Sequence, residues 1–207
     1  MIGFHDAPQG VGRRITGRDA HDGAAERLRP GTVTVSTPPI RLVPLTSAHA
    51  SGLSELISDR DVLRFTRVPD PPPEDFVESW LRRYEDGRRD GTREAFTIED
   101  PADGRFLGIA VAPSIRRDER TAELGYVIHP AARGRGVATV ALERLTAWAF
   151  GELEAVRLEL VISTKNPASK RVAEHNGYHY EGTLRSLFVV PGRWEDSEMW
   201  SRLSTDR

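Results

Sequence analysis

Cysteine is absent from this 207-residue chain, which excludes disulfides, thiolate metal sites and a cysteine nucleophile. Long apolar runs are missing too. Nowhere do the roughly 18 consecutive apolar residues of a membrane span occur, and residues 1–29 hold no secretory apolar core. A cytoplasmic protein is the expectation. Neither charge sign dominates, with 29 Lys and Arg against 31 Asp and Glu, so no overall basic field is available to recruit nucleic acid. The six histidines show no H-E-x-x-H spacing and no G-x-S-x-G elbow occurs. Metal-dependent and serine-hydrolase chemistry lose their support, and no metal is expected.

What is present suffices for one domain, since a chain of this length with 38% hydrophobic residues can close a single core. Residues 1–36 are rich in Gly, Arg, Asp and Ala without periodicity. They read as a flexible extension, with an arm docking on a second subunit of a homodimer as the alternative. The basic cluster Arg13, Arg14 and Arg18 is offset by Asp19, Asp22 and Glu26. Residues 37–207 carry the folded domain. Strands are predicted at 39–45, 93–99, 106–111, 155–163 and 178–182, with a last hairpin turning at Pro191-Gly192 into a return strand at 194–203. Helices are predicted at 49–58, at 74–87 after the break Pro69–Pro73, and from Asn166 to Asn176. Antiparallel strands followed by a helical crossover to a parallel neighbour indicate a mixed α/β sheet.

The informative stretch lies between Thr121 and Leu145. Leu124, Tyr126 and Ile128 alternate with Glu123, Gly125 and Val127 as a strand that stops at Pro130. A loop of Arg133, Gly134, Arg135 and Gly136 follows, and then Val137, Val140, Ala141, Leu145 and Trp148 recur at helical spacing. The first N–H groups of a helix have no partner within it, and the aligned peptide dipoles place partial positive charge there, so a pyrophosphate can supply the missing acceptors. Gly134 and Gly136 remove Cβ atoms that would hold a ligand away, Arg133 and Arg135 add charge, and Ala138 keeps the first turn small. No Walker loop occurs, and G-x-G-x-x-G fails because Thr139 stands where the last glycine belongs.

Arg133-x-x-Gly136-x-Ala138 resembles the acetyl-CoA-binding signature R/Q-x-x-G-x-G/A of the GNAT N-acetyltransferases. Asn166-x-x-Ser169, the helix closing in Asn176-Gly177-Tyr178 and the Gly192-Arg193-Trp194-x-Asp196 return strand are similar to the Rim branch of that family, over roughly residues 37–203. The resemblance implies a GNAT fold: a mixed sheet of about seven strands, splayed at its centre, with about four flanking helices. It implies acetyl-CoA as donor and direct transfer to a primary amine, either of a small molecule or of a protein N-terminus. Backbone groups of Tyr126, Val127 and Ile128 would hold the thioester and pantetheine, Gly125 marking the bulge that frees them. Residues 133–138, including Val137, would hold the pyrophosphate.

By the same resemblance, Asn166 would bind pantetheine and Ser169 would contact the cofactor and protonate the departing thiolate. The family's tyrosine acid is missing from the helix end, where Glu174-His175-Asn176 stands, so His175 is the other candidate. Glu123 is the candidate base. Lys170 and Arg171 would reach nucleotide phosphates, Phe65 and the prolines would lie near the acceptor, and Trp80 belongs to the core. An acidic rim of Asp59, Asp61, Asp70, Glu74 and Asp75 would suit a cationic acceptor. A non-catalytic acyl-CoA-binding module of the same fold is the alternative.

Overall fold

The computed structural model describes residues 38–190 and 193–206. The extension and the Pro191-Gly192 turn therefore lie outside the described residues. The chain forms a seven-stranded sheet in the order β1-β2-β3-β4-β5-β7-β6. The strands are β1 (Arg41–Pro44), β2 (Glu94–Glu99), β3 (Phe106–Arg116), β4 (Thr121–Ile128), β5 (Arg157–Ser163), β6 (His179–Val190) and β7 (Arg193–Leu203). Every pairing is antiparallel except β4 with β5, the two ends of the helical crossover.

Alternation along the strands assigns their side chains to two apolar layers. Ala122, Leu124 and Ile128 of β4 join Leu158, Leu160 and Ile162 of β5 in one cluster. It is covered by α4 (Val137–Gly151) and α5 (Pro167–His175). Leu142 and Leu145 of α4 are fully buried there, each by itself contributing about 2 kcal/mol of transfer free energy. The opposite face carries α1 (Ala50–Leu56), α2 (Arg60–Phe65) and α3 (Phe76–Asp90), whose Leu53, Leu56, Val62 and Tyr84 pack with Ala95 and Ile109. Trp80 stacks on Tyr84 with ring centroids 4.2 Å apart, which makes it a core residue.

Three elements depart from the sequence expectation. Helix α2 is new: Asp59 caps it by accepting from the Val62 N–H at 3.0 Å, but six residues are too few to show a helical period. Strand β3 runs on past Val111 to Arg116. Pro113 breaks no pairing because the ladder skips between Val111 and Ser114, and a bulge is where a strand tolerates proline. The extra residue of that bulge sits on β3 opposite Leu124, so Gly125 borders the bulge from across the ladder and does not form it. Val156, within the strand predicted at 155–163, precedes β5 and is exposed.

Candidate active site

The opening at the sheet centre follows from one interrupted ladder. β4 and β5 pair only at Thr121–Arg157, Ala122–Leu158 and Glu123–Glu159, although both strands continue. Beyond Glu123 they part. His129 donates its backbone N–H to Leu107 O on β3 at 2.9 Å. Because successive residues of a strand direct their N–H groups to opposite sides, Val127 also turns toward β3, and its carbonyl oxygen faces Gly108. The N–H groups of Tyr126 and Ile128 then point to the side that β5 has left. Val127 contributes its side chain to the α1–α3 layer and no backbone group to the gap.

The loop below the gap has the geometry its glycines permit. Gly134 and Gly136 adopt φ values of 72° and 78°, a left-handed conformation in which a Cβ is strained. Gly136 is the N-cap residue of α4 and supplies no side chain to the orphan donors. Val140 N–H is the first to bond back, to Gly136 O at 3.2 Å. The N–H groups of Val137, Ala138 and Thr139 have no backbone partner among the described residues, and the space over both glycines is free of close backbone. These donors fit a diphosphate, with Val137 anchored in the core beneath them and Ala138 half-buried.

Arg133 pairs with carboxylates at the start of α2. Its guanidinium reaches α2 on the other side of the sheet, at 2.5 Å from Asp59 Oδ1 and 3.3 Å from Asp61 Oδ2. Its Nε donates to Ile128 O at 3.1 Å. Partial burial opposes ionisation of Asp59, but Arg133 and the Val62 N–H outweigh it and hold its pKa below the usual carboxylate value. The loop's other arginine, Arg135, is exposed and makes no hydrogen bond or ion pair among the described residues. It lines a shallow cleft of about 270 Å³ with Glu55, Arg105, Phe106 and His129, outside the β4–β5 gap.

On the α5 side, Asn166 uses its side-chain oxygen to accept from the Ser169 N–H at 3.1 Å, ordinary N-cap geometry that sets Ser169 in the first turn. Lys170 is not available for phosphates as expected, because its Nζ pairs with Glu198 of β7 at 2.5 Å. His175 is exposed and its Nδ1 lies 2.6 Å from Arg171 O one turn back, so it caps its own helix. Tyr126 was singled out only for its backbone; its phenol packs against the α4-side core and its hydroxyl is buried without a hydrogen-bond partner. Alternation alone marks that ring as inward, but nothing in the sequence reports an unsatisfied hydroxyl.

Glu123 stands on the opposite face, at the last rung before the strands part. Its neighbour across that rung, Glu159, is neutralised by Arg116 at 2.9 Å and Arg157 at 2.8 Å. Glu123 itself makes no ion pair or hydrogen bond among the described residues, although its charge is felt by Tyr84 of α3, whose pKa burial pushes up to about 12. Within the expected acidic rim, Asp59 and Asp61 are held by Arg133. Asp70, Glu74 and Asp75 are exposed and carry no ion pair among the described residues. Among the described residues no His, Asp and Glu cluster that would hold a metal forms, and no helix is long and apolar enough to cross a membrane.

Residues 40–179 match the family model described as an acetyltransferase (GNAT) domain. The sequence is 34% identical to YjcK of Bacillus subtilis over 112 residues, 54% of this chain and 62% of that protein. It is 30% identical to YdaF of the same organism over 149 residues, 72% of this chain and 73% of that one. In shape it is similar to spermidine N-acetyltransferase from Vibrio cholerae, solved in complex with CoA and spermine. The TM-score is 0.71 at 22% identity, over 81% of this chain and 96% of that one.

Proposed function

The chain belongs to the GNAT acetyltransferase family, and we propose that it transfers the acetyl group of acetyl-CoA to a small cationic primary amine that meets Glu123. The observation that carries this reading is the unpaired Glu123 carboxylate at the rung where β4 and β5 separate, beside a Glu159 already neutralised. A lone carboxylate there attracts an ammonium and, as the amine attacks, takes its proton directly or through one water. The Tyr126 and Ile128 N–H groups polarise the acetyl carbonyl, an effect of typically a few kcal/mol on the barrier. The residue 134–138 turn holds the diphosphate, and Ser169 faces the departing sulfur.

The exposed, unpaired Asp70, Glu74 and Asp75 after α2 extend the negative charge outward and favour a polycation. A protein N-terminus is the second reading, favoured by the similarity to YdaF, whose own name points to a ribosomal acceptor. In either case the enzyme works by direct transfer in the cytoplasm, with a homodimer as the proposed assembly. Release of free coenzyme A thiol, measured over a panel of di- and polyamines, monoamines and peptide N-termini, tests the assignment. Turnover with polyamines that collapses in Glu123→Gln supports it. Turnover confined to peptides selects the second reading, and cofactor binding without turnover on any amine would return the chain to the non-catalytic alternative.

A further inference from the structure

The Tyr126 hydroxyl is a buried donor that the mechanism above does not use. Burial of a polar group without a hydrogen bond is unfavourable, and such a group in a native site marks where something else binds. Four side-chain atoms are left in this condition among the described residues: the hydroxyls of Thr97, Thr121, Tyr126 and Ser197. Only the tyrosine belongs to β4 beyond the last β4–β5 rung, where its own N–H faces the gap. Its ring is held by the α4-side cluster, which fixes where the hydroxyl sits. Burial pushes its pKa up to about 12, and the hydroxyl of Ser169 is the one neighbour that pulls it back. Val172 and Ala173 of α5 pack in the same cluster as the Tyr126 ring, and Ser169, three and four residues before them, lies on the same face of that helix, while no hydrogen bond closes on the tyrosine hydroxyl. Ser169 is itself fixed through its N–H by Asn166.

We propose that Tyr126 and Ser169 act as a two-hydroxyl relay of hydrogen bonds, closed when coenzyme A sulfur lies against the serine, with Tyr126 as a positioning residue. Resting on the acetyltransfer reading above, the tyrosine O–H donates to the serine oxygen. The serine's single hydrogen is thereby left to point at sulfur. As the amine nitrogen bonds to the acetyl carbon, the carbon–sulfur bond breaks and its electron pair stays on sulfur. The serine hydrogen bond, strengthened by the tyrosine behind it, meets the charge that appears. Nitrogen gives up its surplus proton through Glu123, and sulfur takes up one proton from solvent as coenzyme A leaves, so protons balance. A hydroxyl that stays protonated throughout the physiological range is suited to donating this bond and not to becoming an anion.

Tyr126→Phe removes one oxygen and keeps the ring that packs the core. The expected result is a kcat lowered about tenfold or more, as for loss of a hydrogen bond to a charged group, with KM for acetyl-CoA within about twofold of the parent. In the Ser169→Ala background the same change has no further effect, while Ser169→Thr restores the dependence on Tyr126. Independent losses that multiply in the double variant, or a Tyr126→Phe enzyme with parental kcat, would overturn the relay.

A second measurement does not need turnover. Calorimetric titration with coenzyme A and with desulfo-coenzyme A reads the sulfur contact directly. The parent protein prefers the thiol form severalfold, and Tyr126→Phe and Ser169→Ala lose that preference. Retained discrimination in both variants overturns the proposal even if the enzyme is active. Failure of the parent protein to bind coenzyme A at all would instead sink the acetyltransfer reading, and the relay with it.

Discussion

Arg133 and Asp59, 74 positions apart in sequence, meet at 2.5 Å and join the loop before α4 to the start of α2 beyond the end of the central strand β4. The guanidinium is also bound to Asp61 and to the carbonyl of Ile128, the last residue of β4. One side chain therefore ties together the glycine loop, the strand that lines the gap and α2.

That pairing makes Asp59→Asn informative. Were Arg133 a phosphate ligand restrained by Asp59, releasing it would tighten acetyl-CoA. As a strut, its release loosens the loop, and KM for acetyl-CoA rises about threefold with stability lowered by less than about 1 kcal/mol, since the pair is partly exposed. Arg133→Gln is expected to match it, and the double variant to be no worse than either single. Steady-state kinetics and a denaturant titration check both parts.

Glu123→Gln preserves shape and removes the charge. If the carboxylate accepts the amine's proton, kcat/KM falls by about 100-fold or more, with coenzyme A affinity by calorimetry unchanged because Glu123 is no part of the 134–138 turn proposed to hold the diphosphate. Comparing a monoamine with a polyamine separates proton acceptance from attraction. The monoamine loses mainly kcat, whereas the polyamine also shows a raised KM.

Gly136 tests the diphosphate cradle. At φ 78° any L side chain is strained, by about 1–2 kcal/mol, and its Cβ would also project beside the first donors of α4. Gly136→Val is expected to weaken coenzyme A at least tenfold while leaving desphospho-pantetheine fragments less affected. Equal losses for both ligands would mean that the turn does not hold the diphosphate.

Acid stability should track Glu181. Arg157, with Ser201 adding a second hydrogen bond, lowers its pKa to about 2 in the fold from a reference value of 4.5. The carboxylate thus contributes stability that is fully present above pH 4.5 and is lost as pH falls toward 2. Its side chain is 40% exposed, so solvent screening limits the contribution to about 1 kcal/mol. Glu181→Gln should lower stability near neutrality by that amount and flatten the unfolding free energy between those limits, as read by urea titration across pH. An unchanged acid limb would show that the Arg116–Glu159–Arg157 cluster holds the strand ends without it.

Local rules were enough for what depends on near neighbours in the chain. Alternation drew β4 and β5, the 3.6-residue period drew α4, and the glycine pair after Pro130 marked the phosphate turn, because each signal is complete within a dozen residues. Short α2 has no room for a period, and the bulge that carries β3 through Pro113 depends on its partner strand β4. The sequence by itself determined the main strands and the longer helices, a glycine-rich turn between β4 and α4, and a carboxylate at position 123. Only the tertiary structure decided that Arg133 pairs with Asp59, that Lys170 is taken by Glu198, that Glu123 stays unpaired among the described residues beside a neutralised Glu159, and that the Tyr126 hydroxyl is enclosed without a partner. Those outcomes are choices among partners tens of residues away, and a side chain's charge and reach do not say which of several partners the fold will bring to it.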